Sequence, residues 1–283
     1  MLTERSFAVV TDSTSDIAPE LAAERGIYVV PLQVSFGNES FADGVLTQAE
    51  FFKRMNAAPK LPSTSQPSVG AFEETYERAL ETAPAVISIH ISSALSGTVN
   101  AARQAAERFS GRVHVFDSLN LSWGCALQVM DAVIAANEGM SPEAAIERLT
   151  HTRERAKMIV GLDSLENLLR GGRIGKVSAL LGSLLNLKIT ITVDKHGAFA
   201  PVKRSRGEKA ALAHTLEWVD HQMAGRRKGA FAVGHAMTEA RALRLRDALL
   251  ARYDVTEMHV YEAGSVVAAH TGTVWGVSLL PSE

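Results

Sequence analysis

Residues 87–98 read I-S-I-H-I-S-S-A-L-S-G-T, an apolar run that continues into four hydroxyl residues and a glycine. The alternating first half predicts a β-strand, and the S-G-T that follows is typical of the start of a helix. Free backbone N–H groups and the helix dipole favour an anion at such a helix start. A single loop of this kind more often caps its helix without any ligand. The stretch therefore predicts a strand, a loop and a helix, with the loop as a candidate binding site.

Strands and helices alternate on both sides of this unit in the first half of the chain. Further strands are predicted at residues 7–11, 27–36, 85–91 and 113–117. Helices are predicted at residues 47–57, 69–82, 98–109 and 121–137. The first of these helices opens with a capping box, in which Thr47 and Glu50 satisfy free backbone donors. This alternation predicts a mostly parallel sheet wrapped by helices, which binds ligands at the carboxyl ends of its strands.

The second half of the chain has a different pattern of apolar runs, which predicts a mixed α/β domain. Its predicted elements are a helix at 141–155, a strand at 158–162, a short helix, a hairpin around 196–197, a helix at 207–224, a strand at 230–235, a helix at 238–251, a strand at 255–261 and an apolar run at 273–280. Residues 1–155 hold 12 Lys and Arg against 19 Asp and Glu, whereas the rest hold 17 against 12. We therefore expect two domains, 1–156 and 157–283, with the ligand between them.

Composition excludes several classes of protein. With 46% hydrophobic and 21% charged residues, the chain is typical of a globular protein, and its one cysteine excludes an internal disulfide. No signal-peptide pattern opens it, so a cytoplasmic location is expected. The apolar run at 177–193 is short for a membrane span and carries Lys188, so a buried helix followed by a strand is expected there instead of membrane insertion. The uneven charge comes without an aromatic-interleaved basic cluster, which argues against nucleic-acid binding.

Hydroxyl residues also follow other predicted strands. T-D-S-T-S-D occupies residues 11–16 and D-S-L-N-L-S residues 117–122, so three strands end in hydroxyl-rich loops at one edge of the sheet. The segment 58–68, A-P-K-L-P-S-T-S-Q-P-S, contains three prolines and could bend Thr64 over that edge. Read by itself, this segment is more often an exposed connector. Several such loops together favour a binding site over simple capping.

The motifs of several kinds of chemistry are missing. The chain has no G-x-x-x-x-G-K-[ST] phosphate loop and no G-x-G-x-x-G dinucleotide motif. L-S-G-T lacks the glycine that a nucleophile elbow places two residues before the serine. H-E-x-x-H and paired cysteines are absent, so neither a metal site nor a cofactor is predicted. Binding without bond-making is therefore the simplest interpretation.

Six segments in order resemble one family across the whole chain. They are T-D-S-T-S-D at 11–16, T-S-Q-P-S at 64–68, I-S-S-A-L-S-G-T at 91–98, D-S at 117–118, L-E-N-L-L-R-G-G-R-I at 165–174 and H-T-G at 270–272. Together they resemble the DegV proteins, the fatty-acid-binding subunits of the bacterial fatty acid kinase system. The resemblance implies a carrier with no catalytic residues of its own. It would bind a long-chain fatty acid non-covalently and present the carboxylate to a separate ATP-binding kinase subunit, which forms an acyl phosphate for phospholipid synthesis.

The resemblance also implies site residues. Thr64 and Ser96 would bind the carboxylate, and the tail would lie in an apolar tunnel. Residues expected near the carboxylate are Ser65, Ser92, Ser93, Gly97, His270 and Thr271. Arg173 is a candidate for the domain interface or a partner-facing surface, although a structural arginine in a salt bridge explains it equally well.

Two other classes of function stay open from the sequence. One is a kinase-like or hydrolytic α/β enzyme acting on a small polar substrate, with Asp12, Asp117 and His270 as acid, base or metal ligands. Both aspartates more often cap turns at strand ends. The other is a DNA-binding regulator, which the uneven charge alone suggests.

Overall fold

The computed structural model describes residues 5–180 and 187–282. The strands are β1 Ala8–Asp12, β2 Ile27–Val30, β3 Gln33–Phe36, β4 Glu39–Ala42, β5 Ser63–Ser65, β6 Val86–His90, β7 Val113–Asp117, β8 Lys157–Leu162, β9 Leu187–Val193, β10 Phe199–Arg206, β11 Lys228–Ala236, β12 Asp254–Glu262 and β13 Val274–Pro281. The helices are α1 Pro19–Arg25, α2 Gln48–Ala57, α3 Val69–Leu80, α4 Thr98–Ala106, α5 Ser122–Asn137, α6 Pro142–Arg155, α7 Glu166–Arg170, α8 Glu208–Met223, α9 Glu239–Leu250 and α10 Ser265–Thr271. Short 3-10 helices lie at Ser13–Ser15, Glu107–Phe109 and Gly175–Leu180.

The first sheet confirms the predicted parallel architecture. Its four strands lie in the order β2-β1-β6-β7, and every pair is parallel. All five residues of β1 and of β6 are buried, because α5 packs on one face of the sheet and α3 and α4 pack on the other. Burial on both faces is typical of parallel sheets with helical crossovers. The carboxyl ends of β1, β6 and β7 therefore meet at one edge, together with the loops that follow them.

The second sheet is mixed, as expected for the second half of the chain. Its order is β10-β9-β8-β13-β11-β12, with β11 and β12 parallel and the other pairs antiparallel. One face packs on α8 and α9 through residues such as Phe231 and Trp275. The opposite face joins a core with residues of β3, α2 and α10. All six strands follow residue 156, while the division into domains at that position stays a prediction.

The single strand predicted at 27–36 is wrong, because the segment forms two strands in different sheets. Pro31 has no backbone N–H to continue a ladder, and the chain turns away after β2. The following β3 is the central strand of a three-stranded antiparallel sheet, β4-β3-β5. Within the segment 58–68, interpreted from the sequence as a loop, β5 places Thr64 opposite Val34. A hydrophobic period of two is the same in every sheet, so it cannot show that the chain leaves one sheet and enters another.

Other elements also differ from the sequence-based expectation. Neither α1 nor α10 is predicted, and α10 carries His270. Of the expected buried helix in the run 177–193, the described part is a 3-10 helix that ends at Leu180, residues 181–186 lie outside the described residues, and the expected strand is β9. Within the described ranges, no helix is both long and apolar enough to cross a membrane.

Candidate functional site

A cavity with a polar end lies beside the loops that follow β1 and β6. It encloses about 470 Å³ of atom-free space, its open mouth included. Its polar lining consists of Thr14, Thr64, Ser96, Arg173, His270 and Thr271. Its apolar lining includes Leu32, Ile91, Leu95, Leu121, Phe199 and Val267. We call this space the hydroxyl cavity.

Thr64 and His270 meet in this cavity from distant parts of the chain. Thr64 lies on β5 and His270 in the last turn of α10, and Thr64 Oγ1 is 2.8 Å from His270 Nε2. Burial, with a smaller contribution from the positive charge of Arg173, lowers the pKa of His270 to about 4. The imidazole is therefore neutral near pH 7. It binds Thr64 as a neutral hydrogen-bonding group and not as a cation.

The imidazole of His270 packs against the end of α7. A Cβ atom at Gly171 would lie 2.5 Å from His270 Nδ1, so only glycine leaves room for the ring. Nδ1 is buried and has no hydrogen-bond partner within the described part of the chain. Arg173 is exposed and donates from Nη1 to the carbonyl of Gly171 at 2.7 Å. Close packing by α7 thus fixes the ring plane of His270.

Ser96 approaches the same cavity from the loop before α4. Its Oγ lies 2.8 Å from Thr98 Oγ1 and accepts a hydrogen bond from the Thr98 backbone N–H at 3.3 Å. The next residue, Gly97, lies directly under Gln66, because a Cβ there would be 2.0 Å from Gln66 Oε1. The two hydroxyl-rich segments predicted at 64–68 and 91–98 are therefore in contact.

The hydroxyl cavity brings together only some of the residues singled out from the sequence. Thr64, Ser96, His270, Thr271 and Arg173 line it. The others lie outside the lining: Ser65 is exposed, Ser92 is fully buried with Oγ accepting from the Ala94 N–H, Ser93 is exposed with its N–H donating to Asp117, and Gly97 lies under Gln66. Ser65 points away from the cavity because successive side chains of a strand alternate between its faces.

Several lining residues were not singled out from the sequence, and Thr14 and Phe199 are two of them. Thr14 lies within the segment 11–16. The hydroxyl-rich composition of this segment indicated a binding loop, but it did not indicate which side chain reaches the cavity. Its hydroxyl donates to Asp12, which also accepts from the Thr14 and Ile91 backbone N–H groups. Phe199 comes from β10 of the second sheet, and its sequence context is that of an ordinary hairpin strand. Nothing in the sequence around Phe199 indicates that it lines this cavity, because that role depends on loops that are distant along the chain.

A second cavity adjoins the first. It encloses about 390 Å³ of atom-free space and shares four lining residues with the hydroxyl cavity, which are Leu121, Phe199, Val267 and Thr271. Two glycines of the second sheet, Gly234 and Gly276, line only this second space. We call it the glycine cavity. Two adjoining cavities, one with hydroxyl groups in its lining and one mainly apolar, suit an amphipathic ligand with its polar end at the hydroxyls.

A buried chain of polar side chains underlies the first sheet. Tyr76 donates to Ser88 Oγ at 2.9 Å, Ser88 Oγ is 2.6 Å from His90 Nε2, and His90 Nδ1 is 3.0 Å from Asp12 Oδ2. Serine, histidine and aspartate follow one another as in a hydrolytic triad. All four side chains are 0% exposed, so no substrate reaches the serine. This chain fixes Asp12, which in turn holds Thr14 at the cavity.

Comparison with known proteins gives the family. A family model described as "Uncharacterised protein, DegV family" matches residues 6–282. The protein belongs to the DegV family. A DegV domain-containing protein of Deinococcus radiodurans is 40% identical over 281 residues, which cover 98% of this chain and 99% of the relative.

Solved DegV structures have the same fold. A Thermus thermophilus DegV family protein, described by its fatty acid binding, superposes with a TM-score of 0.93 at 37% identity and covers 97% of this chain and 99% of that one. DegV of Bacillus subtilis, described as a fatty acid binding protein, gives 0.88 at 30% identity and covers 98% of this chain and 100% of its own. The predicted α/β fold class and the resemblance to DegV proteins are confirmed.

Among residues 5–180 and 187–282, no group of three or more His, Cys, Asp and Glu side chains is placed to hold a metal ion. The donors that line the hydroxyl cavity are hydroxyls, one imidazole and one guanidinium. Hydroxyl and guanidinium groups suit an anion's oxygens, and carboxylates, which divalent cations prefer, do not line this cavity.

Proposed function

We propose that this DegV family protein binds a long-chain fatty acid non-covalently, with its carboxylate in the hydroxyl cavity and its tail in the glycine cavity. The observation that carries the proposal is that the two cavities adjoin and have four lining residues in common, with hydroxyl and imidazole groups in the lining of one and a mainly apolar lining in the other. At about 0.8 kcal/mol per buried methylene, a chain of about 16 carbons contributes on the order of 10 kcal/mol before ordering costs. The tail therefore supplies most of the affinity, and the head group needs only orientation.

Thr64 and Ser96 would orient the carboxylate. If the Nε2–H of neutral His270 donates to Thr64 Oγ1, the hydroxyl proton of Thr64 is free to donate to a carboxylate oxygen. The unpartnered Nδ1 is consistent with this tautomer, because a buried lone pair costs less than a buried N–H without an acceptor. His270 would thus act as a positioning residue for Thr64.

We further propose that the carboxylate is presented to a separate ATP-binding kinase subunit, which forms an acyl phosphate for phospholipid synthesis. Neutral hydroxyl donors hold a carboxylate less firmly than a bidentate arginine would, so an oxygen stays able to attack the γ-phosphate of ATP. Arg173 is exposed and lines the hydroxyl cavity, which supports a role in facing that partner. Such a carrier would work in the cytoplasm, where ATP is available to the kinase.

Native mass spectrometry and a coupled kinase assay test the proposal. We expect a co-purifying fatty acid in the undenatured protein. Thr64→Ala and Ser96→Ala should each weaken fatty acid binding by about tenfold, since one charge-assisted hydrogen bond contributes roughly 1.5 kcal/mol, and each should slow acyl-phosphate formation. Ser35→Ala, on the strand next to β5 and outside the cavity lining, should leave both unchanged. Wild-type rates in both cavity variants would contradict the role of the hydroxyls.

The enzymatic alternative has less support from the geometry. Asp12 is fully buried and already accepts from three groups around it, while Asp117 accepts from the Ser93 and Leu119 N–H groups. Neither aspartate lines the cavity that contains His270. A purified protein that carries no lipid and hydrolyses ATP or an ester by itself would favour the enzyme instead.

A further inference from the structure

The floor of the glycine cavity is a row of residues across the second sheet. Gly276 of β13 pairs with Val160 of β8 on one side and with Gly234 of β11 on the other, and Gly234 pairs with Tyr261 of β12. Paired residues point to the same face of a sheet, so the row presents two glycines between two larger side chains.

The side chains of Tyr261 and Val160 extend over the two glycines. A Cβ at Gly234 would lie 2.3 Å from Tyr261 Cζ, and one at Gly276 would lie 2.8 Å from Val160 Cγ1. The ring of Tyr261 thus occupies the space that a side chain at position 234 would take. Tyr261, Gly234 and Gly276 line the glycine cavity but not the hydroxyl cavity, so Tyr261 lies outside the part that the two cavities share.

Tyr261 also separates the glycine cavity from the surface. It lines a surface cleft, together with Asp16, Asp43 and Glu262, on its other side. An apolar tail that passed the ring would enter this open cleft, whose lining also includes Leu46 and Phe51. The ring is therefore a wall between the glycine cavity and an open cleft.

Hydrogen bonds hold this wall in place. Tyr261 Oη lies 2.8 Å from Ser122 Oγ, which lies 2.5 Å from Asp16 Oδ2, and the ring of Trp123 packs beside Tyr261 with 5.7 Å between centroids. If the ring of Tyr261 swung away, the buried hydroxyl of Ser122 would lose its Tyr261 partner, and an apolar surface would be exposed to the cleft. Both changes are unfavourable, so the wall resists displacement by a growing tail.

We infer that Tyr261 ends the tail cavity and sets the upper limit on the length of the bound acyl chain. This inference rests on the proposed binding of a fatty acid. Each methylene that finds room should raise the affinity about fourfold, and a methylene that meets the ring should not. The preferred chain length thus depends on the position of one aromatic ring. The residues that bind the head group do not affect it.

Affinities for saturated fatty acids from lauric to arachidic acid, measured by calorimetry on delipidated protein, test this inference. We expect Tyr261→Ala to move the preferred length towards longer acids, because the tail can then continue into the cleft. Tyr261→Phe keeps the ring and should keep the wild-type preference, even if losing the hydroxyl lowers thermal stability. Tyr261→Leu, which is less disruptive, provides the shortened side chain should the alanine variant not fold.

A second substitution works in the opposite direction. Gly234→Ala should push the ring of Tyr261 into the cavity and move the preference towards shorter acids. In the double variant Gly234→Ala/Tyr261→Ala the ring is gone, so the preference for shorter acids should disappear.

An unchanged length preference in Tyr261→Ala, or in Tyr261→Leu, would overturn the inference while leaving fatty acid binding intact. A wild-type protein that binds none of the acids would instead contradict the proposed function. The two failures are therefore distinguishable.

Discussion

Asp16 lies in an environment unlike that of a surface carboxylate. It is 8% exposed, accepts from the backbone N–H of Gly264 at 2.9 Å, and lies beside Ser122. Burial raises its pKa to about 8, and burial also raises the pKa of Asp43, which accepts from the Val266 N–H. Two carboxylates, at least one of them protonated near pH 7, thus hold the first turn of α10.

Substituting Asp16 should change the pH dependence of stability. The unfolded chain releases this proton near its ordinary pKa of about 4, whereas the folded protein keeps it until about pH 8. The free energy of unfolding should therefore fall as the pH rises from about 4 to about 8, by at most about 1.4 kcal/mol per pH unit from this group. Asp16→Asn cannot ionise and should lose that part of the slope in urea unfolding between about pH 5 and pH 8.

Asparagine is a suitable replacement because position 16 has a φ of 55°, which asparagine adopts more readily than most residues. Glu74→Gln, an exposed substitution on α3, serves as the matched control and should keep the wild-type slope. An Asp16→Asn protein with the same pH dependence as the wild type would show that Asp16 is ionised in the folded protein.

At the scale of elements, the site depends on the contact between the ends of α7 and α10. Gly171 follows α7 and His270 lies in the last turn of α10, and the ring of His270 occupies the space above the glycine. Asn167 of α7 also donates from its side chain to the Ala269 carbonyl at 3.1 Å. The position of His270, and through it that of Thr64, therefore depends on how α7 packs.

Gly171→Ala should reduce the free energy of fatty acid binding by more than it reduces the free energy of unfolding. The new Cβ would lie 2.5 Å from His270 Nδ1 and 2.9 Å from the Asn167 carbonyl oxygen, so the imidazole must shift and its hydrogen bond to Thr64 is lost. The backbone at Gly171 has φ −76°, which alanine adopts without strain. We expect roughly a tenfold weaker affinity by calorimetry, as for the loss of one hydrogen bond.

Gly70→Ala is the control, because a Cβ in α3 at that position meets nothing closer than 3.9 Å. It should bind like the wild type and be more stable by roughly 0.5–1 kcal/mol, since alanine favours helices over glycine. Equal affinities of the two variants would show that the α7 contact does not position His270.

For the whole molecule, the two cavities are lined by residues of the second sheet, of the small sheet, of the loops that follow the first sheet and of α10. Leu32 and Thr64 belong to the segment around the small sheet, Ile91 follows the first sheet, and Phe199 belongs to the second. A ligand that fills these cavities contacts parts of the chain that are distant in sequence. Its binding should therefore stabilise the folded molecule as a unit.

Removing the lipid should lower the melting temperature. A ligand present at about 1,000 times its Kd stabilises the folded state by roughly 4 kcal/mol, and palmitic acid added back should restore the transition. Hexadecanol, which has the same tail without the carboxylate, should restore it only in part. Calorimetric melting curves check this, and identical transitions with and without palmitic acid would contradict binding in the folded core.

The sequence by itself determined most of the elements and the fold class. The short apolar runs of β1, β6 and β7 have the length of strands, and the capping box at Thr47 and Glu50 forms at the start of α2. Hydroxyl residues after the parallel strands indicated which edge of the sheet to consider. These features are local, because they depend on the period of a strand or helix and on free backbone groups within a few residues.

Only the tertiary structure decided which of these residues meet. Thr64 and His270 are 206 positions apart, and no local pattern states that β5 and α10 come together. The split of 27–36 between two sheets, the burial of Ser92 and the place of Tyr261 in the lining of the glycine cavity likewise depend on packing partners far along the chain. Secondary structure follows from interactions between near neighbours, whereas a cavity is the space left among side chains that only the packed fold brings together.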